Sequence, residues 1–515
     1  MPVYFCPCNV QAKTNDLLGI IQSSFSNGRI LENLDKKYSD FIGIFINPSQ
    51  NESLFINKKL LTEKSKIIVF GRLHTSTLKI LQGVDLNKGY DKEEELKSAK
   101  ANSTSASRLN IRYQQLEGLS ISNAFDRPLK RYDYEDEWNN QGFGFIDETE
   151  IPNYSFSCNN YRQLASLFKD DLKIGDFSGV FDFNESSLLW VGSQISFFRS
   201  NEWNIIEQYI SNYKSDVYPC HPYISQIPYN YDSMVTMRLD CDESIQNAEP
   251  LRKLYSSHDV PFSLAITTKL LSDEEESNYL KSVNSSGVDI LSHSDTHAVD
   301  WGGSLDNAYS ELLISKVKLE KLLGKSIIYA VAPFHHTPDY MFEALSKADY
   351  KGCIGGTVKR FQEHICARGI IKESYNTIFH CQQVMLHGDC MLNDADPLKV
   401  YKQSFTKALN SETIFGYLDH PFSSRYTYGW RSEEQRLEIH SKFIQFINTE
   451  CPNVLWANET KTLDFINWIN KIKISEDSDN YFVEPPVVES DVTAAINYKN
   501  KKYSLKNKTV LINRK

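Results

Sequence analysis

Residues 234–242, MVTMRLDCD, open the part of the chain that decides the fold, because this short apolar run ends in two aspartates. From here to about residue 456, apolar runs of strand length alternate with stretches of helical character. The predicted strands are 234–239, 261–266, 288–291, 327–334, 351–354, 377–384, 414–418 and 454–456. Strands that alternate with helices predict βα units, and therefore an α/β fold with a parallel sheet or barrel.

One helix of this alternation can be followed residue by residue. Apolar and small side chains recur at spacings of three and four, which places them on one face of a helix that packs on the sheet. These residues are Leu305, Ala308, Leu312, Ser315, Leu319 and Leu322. Gly324 predicts the end of the helix, because glycine readily adopts the left-handed conformation that follows many last helical turns.

The length of 515 residues predicts more than one domain, because a single hydrophobic core seldom grows so large. Residues 218–231 contain three prolines and four tyrosines and predict an extended connector. We therefore divide the chain into three parts. They are an N-terminal α/β region of unknown role with one or two subdomains, 1–232, a barrel domain, 233–472, and a small C-terminal β appendage, 473–515.

The composition is that of an ordinary globular protein, with 41% hydrophobic and 24% charged residues. A formal net charge of −10 argues against a nucleic-acid partner, since such binding depends on Lys and Arg. The N-terminus has no basic and apolar leader, and no apolar run is long enough for a bilayer, so we predict a cytoplasmic protein without a transmembrane segment. Ten scattered cysteines predict reduced thiols. The sequence leaves a homo-oligomer open.

Two carboxylates end the first predicted strand, within residues 238–243, RLDCDE. Side chains two apart on a strand point to the same side, so Asp240 and Asp242 converge on one site. Alone, an Asp-x-Asp pair at a strand end is more typical of a turn or a helix cap. The pair therefore needs partners elsewhere in the chain.

Residues 292–297, SHSDTH, supply such partners after the predicted strand 288–291. His293 and His297 are four apart and can face one direction from a helical turn. With one carboxylate they form a three-ligand site that keeps positions open for water. This set predicts a divalent metal, Zn²⁺ first, with Co²⁺, Ni²⁺ or Mn²⁺ as alternatives. In a chain with 12 histidines, chance is an equal explanation for this motif when it stands alone.

Two further polar motifs follow predicted strands, namely residues 332–336, APFHH, and 418–421, LDHP. Each alone is more typical of a strand-ending turn or of a histidine with a structural hydrogen bond. Active sites of barrels built from βα units lie at the carboxyl ends of the strands. Four such motifs at four strand ends therefore predict a single site.

These motifs resemble those of the NodB-type polysaccharide deacetylases, carbohydrate esterase family 4, over about residues 234–465. The resemblance implies a distorted (β/α)7-type barrel and a divalent metal, usually zinc. Residues 238–243 resemble an Asp-x-Asp variant of the family's first motif. This similarity implies that Asp240 is the general base and that Asp242 is a metal ligand.

The most specific resemblance is that of residues 292–297 to the family's His-Ser/Thr-x-x-His motif. It implies that His293 and His297 are the other two metal ligands. Residues 418–420 resemble the late Leu-x-His motif, which implies that His420 is the general acid.

The chain departs from the family at two motifs. The third motif is Arg-x-Pro-Tyr, and Pro333 and Phe334 match its last two positions, but Val331 occupies the position of the arginine. Arg238, two residues before Asp240 on the same strand face, either replaces that arginine or is structural. The Asp and Trp of the fourth motif have no clear counterpart, and residues 387–389, HGD, are a candidate for substrate contact.

Together these features predict a metal-dependent hydrolase that removes an N-acyl group, acetyl first, from a sugar. Asp240 would take a proton from water, a backbone N–H near Phe334 would support the oxyanion, and His420 would protonate the leaving amine. The predicted substrate is a nucleotide-linked or lipid-linked sugar or a polysaccharide-assembly intermediate. The alternatives are a deformylase or other C–N amide hydrolase, and an inactive carbohydrate-binding module. Asp240 and His420 argue against the inactive module, because binding requires neither.

Overall fold

The structure is a computed structural model, and it describes residues 2–6, 11–34, 40–86, 109–119, 126–128, 154–169, 171–192, 200–356, 368–381, 384–389 and 396–514. Its α-helices are numbered α1 to α11 in chain order. They are Gln11–Phe25, Gln50–Thr62, Thr75–Ile80, Ser200–Ser211, Glu249–Ser257, Glu274–Ser285, Leu305–Leu323, Asp339–Lys347, Lys399–Asn410, Glu433–Glu450 and Glu459–Ile469. No helix of these described ranges is long and apolar enough to cross a lipid bilayer.

The described residues of the N-terminal part contain an 11-stranded mixed sheet, whose main path runs β2-β1-β3-β4-β11-β10-β9-β6-β7. Strands β1 to β11 are Val3–Cys6, Gly28–Ile30, Asp40–Ile46, Lys64–Phe70, Gly83–Asp85, Leu109–Tyr113, Asp126–Pro128, Tyr154–Phe156, Tyr161–Lys169, Leu172–Asp182 and Ser186–Val191. The strands from β2 to β11 along this path pair in parallel, whereas those beyond β11 pair antiparallel. This half therefore combines α/β and antiparallel architecture.

A second, 10-stranded sheet follows, in the order β18-β19-β17-β16-β15-β14-β13-β21-β20, with β22 paired to β13. Strands β12 to β22 are Tyr223–Ile224, Ser233–Cys241, Ser263–Ile266, Asp289–Ser292, Tyr329–Val331, Gly352–Gly355, Ile370–Lys372, Thr377–Cys381, Val384–Met385, Phe415–Asp419 and Val454–Ala457. Its pairs are parallel except β18 with β19. The predicted parallel α/β sheet is confirmed.

The sheet is curled. The predicted strand 377–384 is wrong as one element, because it divides into β19 and β20, which lie toward opposite ends of the strand order. Cys381 and Val384 are three residues apart and so lie within about 11 Å, which brings the two ends of the sheet together. Among the described strands no ladder joins β19 to β20, so the structure shows a curled sheet, and the distorted (β/α)7-type barrel stays a prediction.

Strand β13 shows how the sequence directs polar groups to one face of this sheet. All nine of its residues are buried. Val235, Met237 and Leu239 belong to the apolar core shared with the flanking helices. Successive side chains alternate, so Arg238 and Asp240 lie on the opposite face. A fully buried strand therefore carries two charged side chains on the face opposite this core.

The helix predicted from residue 305 is confirmed as α7. Its first turn is capped by Ser304, whose side chain accepts a hydrogen bond from the backbone N–H of Asn307. Gly324 ends it in the left-handed conformation with φ of 66°. The predicted strand 327–334 is shorter in the structure and ends at Val331, and Pro333, which has no N–H to donate, starts a turn.

Among the described residues, the five strands after α11 belong to two small antiparallel sheets, β23-β24-β27 and β12-β25-β26, the second of which includes β12 from earlier in the chain. Strands β23 to β27 are Lys473–Glu476, Asn480–Glu484, Ala494–Tyr498, Lys501–Leu505 and Val510–Asn513. Through β12, which lies in the segment before the second sheet, this C-terminal part contacts the chain that joins the two larger sheets.

Candidate metal centre

Polar side chains follow three parallel strands of the curled sheet. Asp242 comes directly after β13, His293 after β15 and His420 after β21. These strands run in parallel through β14, so their carboxyl ends share one edge of the sheet. The structure thus brings together the residues that the sequence motifs singled out.

Asp242, His293 and His297 form a compact group in which one ligand atom from each lies within 4.8 Å of the others. The Oδ1 atom of Asp242 is 3.3 Å from Nε2 of His293 and 3.4 Å from Nε2 of His297. Two ligands of a tetrahedral zinc ion, each about 2.1 Å from the metal, are about 3.4 Å apart. The spacing therefore suits a small divalent ion.

The chemistry of these three groups suits a metal as well. Oδ1 of Asp242 is shielded from solvent and has no hydrogen-bond partner among the residues that the structure describes. Such a buried carboxylate oxygen is costly without a cation or a donor. Burial lowers the pKa of His297 to about 4, and His293 acts in the same direction. The imidazole of His297 is therefore neutral and able to bind a metal.

A backbone carbonyl fixes the orientation of His293. Its Nδ1 lies 3.0 Å from the carbonyl oxygen of Val331 at the end of β16. Because a carbonyl only accepts, Nδ1 carries a proton, and Nε2 is the nitrogen that faces Asp242 and would bind a metal. Val331 thus contributes its backbone carbonyl to the orientation of His293, at the position that the arginine occupies in the third motif of the family that the chain resembles.

The helical turn predicted for the two histidines is wrong. Residues 293–298 are a loop, and Ser294 and His297 both have left-handed backbone, with φ of 65° and 61°. The Ser294 hydroxyl accepts the His297 N–H at 2.9 Å. Glu311 of α7 accepts the N–H groups of Asp295 and Thr296 at 2.9 and 2.8 Å. The loop that carries both imidazoles is therefore held by Glu311 of α7 and is not itself a helical turn.

Arg238 lies against Asp240, as one of the two alternatives for this arginine requires. Its Nε is 2.8 Å from Oδ1 of Asp240, and both side chains are buried. Nη1 of Arg238 is also 3.7 Å from Oε1 of Glu459, at the start of α11. Burial would raise the pKa of Asp240, but Arg238 and then His293 lower it to about 2. Asp240 is therefore ionised.

His420 contacts Asp242 of the candidate ligand group Asp242, His293 and His297, which we call the metal group. Its Nε2 lies 3.4 Å from Oδ2 of Asp242, and its Nδ1 lies 2.7 Å from Nε2 of His387. The ring of Tyr428 stacks on the imidazole of His420 with 4.2 Å between centroids and an interplanar angle of 16°. Asp242 and His387 thus contact the two nitrogens of the His420 ring, and Tyr428 covers one of its faces.

A buried ion pair anchors the backbone beside His420. Asp419 accepts hydrogen bonds from Nε of Arg436 at 2.7 Å and, at 3.0 Å, contacts Nε2 of His440. Nη2 of Arg436 also donates to the carbonyl oxygen of His420 at 2.7 Å. Sequence reasoning missed Arg436 and His440. The available signal was an arginine and a histidine four apart in the apolar stripe of α10.

Pro333 and Phe334 form a turn at the end of β16. Phe334 and His335 have left-handed backbone, with φ of 53° and 58°, a conformation that costs free energy for residues other than glycine. The Phe334 ring lies 4.5 Å from the ring of His297. Burial lowers the pKa of His335 to about 3, so this histidine is neutral. The turn therefore places an aromatic ring and strained backbone at the metal group.

No protein-family model and no curated protein matches the sequence. Among solved structures, a putative polysaccharide deacetylase from Mycobacterium smegmatis is 11% identical over 47% of this chain and 92% of its own, with a TM-score of 0.36. The Xyl-CE4 domain of a multidomain xylanase from the hindgut metagenome of Trinervitermes trinervoides is 14% identical over 45% and 90%, with a TM-score of 0.30. Puue allantoinase is 9% identical over 47% and 92%, with a TM-score of 0.36. Similarities this low assign neither an activity nor a substrate to this chain.

Proposed function

We propose that this protein is a metal-dependent hydrolase that removes an N-acyl group, acetyl first, from a sugar. One observation carries the proposal: His420 contacts Asp242 of the metal group, and Asp240, on the same strand, is held ionised by Arg238. A site that only binds metal or sugar needs neither a second ionised carboxylate nor a third imidazole beside the three metal ligands. Hydrolysis of an amide needs both a base and an acid.

The proposed metal ligands are Asp242, His293 and His297, and zinc is the first choice because one carboxylate and two imidazoles are typical of catalytic zinc. A bound divalent ion would supply Lewis acidity and a lowered pKa of water. The spacing of 3.3 to 3.4 Å between the ligand atoms and the unsatisfied Oδ1 of Asp242 support this assignment.

The protein's own groups then divide the proton transfers. Asp240 accepts the proton of the attacking water, and its pairing with Arg238 fixes the direction of its carboxylate. His420 donates the proton of its Nε2 to the leaving amine as the C–N bond breaks. A backbone N–H of the turn at Pro333 and Phe334 supports the oxyanion. The water proton ends on Asp240, and exchange with solvent restores both groups.

Aromatic rings around the metal group support a sugar as the substrate. Phe334 packs on His297, and Tyr428 packs on His420. Tyr426 stands edge-on to Tyr428 with 4.2 Å between centroids, and 54% of its surface is exposed. Aromatic faces and edges at the rim suit the C–H faces of a pyranose ring. We include nucleotide-linked and lipid-linked sugars and polysaccharide-assembly intermediates among the proposed substrates.

The test is to replace His293 and His297 by alanine, singly and together. Bound metal, measured by elemental analysis, and acetate release from a panel of N-acetylated nucleotide-sugars should be lost in parallel. A matched control is His258→Ala, whose side chain bonds Ser441 and lies outside the metal group. Formate release from formamido sugars separates a deformylase from a deacetylase. Undiminished hydrolysis by the metal-free double variant would refute the proposal.

A further inference from the structure

His387 and His420 form a buried pair next to the metal group. Nε2 of His387 lies 2.7 Å from Nδ1 of His420, with 4.8 Å between ring centroids and an interplanar angle of 60°. Both histidines are buried. The sequence suggested residues 387–389 only as a candidate for substrate contact, and the structure instead turns the His387 ring toward another histidine.

The backbone holds His387 firmly in this place. On one side, the N–H of Leu386 donates to the carbonyl oxygen of Leu418 at 2.8 Å. On the other side, the N–H of Gly388 donates to the carbonyl oxygen of Tyr428 at 3.0 Å. A Cβ atom added at Gly388 would lie 2.3 Å from the backbone of Gly429. The segment therefore packs directly on the turn that carries Tyr428.

A second metal site does not explain the pair, although His387, Asp419 and His420 also lie within 4.8 Å of one another. The two carboxylate oxygens of Asp419 already meet four protein groups besides His387, whose Nε2 lies 3.6 Å from Oδ1. Oδ1 accepts from the His420 N–H at 2.7 Å and the indole of Trp430 at 3.4 Å, and Oδ2 meets Arg436 and His440. The 2.7 Å between ring nitrogens is a hydrogen bond, since two ligands of a tetrahedral ion lie about 3.4 Å apart.

We propose that His387 is a positioning residue that holds Nδ1 of His420, so that Nε2 of His420 faces Asp242 and the leaving group of the substrate. The catalytic part of this inference rests on the proposed function. An imidazole has only two nitrogens, and a partner on Nδ1 fixes both the rotation of the ring and the nitrogen left for chemistry. The Tyr428 ring then prevents tilting of the imidazole plane.

The proton count assigns a role to each nitrogen. To act as a general acid, His420 must carry a proton on Nε2, and the hydrogen bond between the rings then requires that its Nδ1–H donates to Nε2 of His387. When Nε2 gives its proton to the amine as the C–N bond breaks, His420 becomes a neutral imidazole that keeps its Nδ1–H and the same hydrogen bond. His387 must then carry its proton on Nδ1, and Oδ1 of Asp389, 3.8 Å away, favours that arrangement. No rearrangement at His387 is needed during the step.

Two substitutions separate positioning from packing. The His387→Gln variant has an amide oxygen that can accept a hydrogen bond from the Nδ1–H of His420, whereas the His387→Leu variant has no polar side-chain atom. With an N-acetylated sugar, His387→Leu should lower kcat about 10- to 100-fold, with KM and bound metal unchanged. His387→Gln should restore most of kcat. His258→Leu, whose hydrogen bond to Ser441 lies outside the site, is the control and should keep the wild-type kcat.

A second substrate makes the test specific. The 4-nitrophenolate of 4-nitrophenyl acetate leaves without a proton, so His387→Leu should change its hydrolysis less than about threefold. An equal loss on the ester and the amide would mean a general structural role and would overturn the inference. An unchanged kcat on the amide, or failure of glutamine to restore it, would also overturn it.

A readout independent of activity separates this inference from the proposed function. In ¹⁵N-histidine-labelled protein, the hydrogen bond between the two rings should give one slowly exchanging imidazole N–H resonance. His387→Leu and His420→Ala should each remove it. If the wild-type protein hydrolyses neither substrate but shows this resonance, the proposed function fails and the pairing stands. Absence of the resonance from the wild-type protein refutes the pairing itself.

Discussion

Replacing Asp419 by asparagine should destabilise the protein through the buried ion pair beside His420. Asp419 and Arg436 are both fully buried, and Arg436 Nε lies 2.7 Å from Oδ2 of Asp419. His440 contacts the same oxygen at 3.0 Å. Asparagine keeps the size of the side chain but removes its charge, so Arg436 is left as a buried cation without its main partner.

Removal of one partner from a buried ion pair costs about 3 to 5 kcal/mol of unfolding free energy. The lower end applies here, because both oxygens of Glu433 stay 3.1 Å from Nη1 of Arg436. We therefore expect a loss of about 3 kcal/mol. With a urea dependence of about 2 to 3 kcal/mol per M, the midpoint of unfolding should fall by about 1 M.

The assay is equilibrium unfolding in urea followed by tryptophan fluorescence, with Trp430 3.4 Å from Asp419 as a local reporter. The control is Asp349→Asn, at a fully exposed side chain, which should change the unfolding free energy by less than about 0.5 kcal/mol. A loss of less than about 1 kcal/mol of unfolding free energy for Asp419→Asn would show that the ion pair does not stabilise the backbone beside His420.

The loss should depend on pH in one direction. Burial would raise the pKa of Asp419, but Arg436 and His440 hold it well below its usual range. A carboxyl whose pKa is lower in the folded state stabilises the fold above its unfolded pKa of about 3.9, and this contribution is lost as the pH falls toward the folded pKa. The difference between wild type and variant should stay constant from pH 7 to about 5 and shrink only below about pH 4.

Three further predictions follow from other contacts. Arg238→Met should lower the unfolding free energy by about 3 to 5 kcal/mol and reduce turnover, because Asp240 stays buried without its partner. In urea unfolding, the double variant with Asp240→Asn should recover part of this stability, and no recovery would contradict the pairing. Free Zn²⁺ at 100 times its Kd should increase the unfolding free energy by about 2.7 kcal/mol and raise Tm in differential scanning calorimetry. A rise in Tm that persists in Asp242→Ala would show that the metal binds elsewhere. Gly324→Ala should lower the unfolding free energy by about 1 kcal/mol in urea unfolding, because alanine tolerates a φ of 66° poorly. An unchanged midpoint of urea unfolding would contradict this expectation.

Local patterns in the sequence predict the order of strands and helices and which side chains share a face. The alternation in 234–242 is enough to put Arg238 and Asp240 on the face opposite the helix-covered core, because side chains of a strand alternate. The helical period and Gly324 predicted α7 and its end, which the structure confirms. These features are local, since they depend on residues within about two turns of one another.

Contacts between residues far apart in the sequence depend on the tertiary structure. The spacing of His293 and His297 suggested a helical turn, but Glu311 from another helix holds them in a loop. The two halves of 377–384 separate at the point where the sheet curls. Local periodicity reports burial, whereas a hydrogen bond between His387 and His420, 33 residues apart, depends on how distant segments pack.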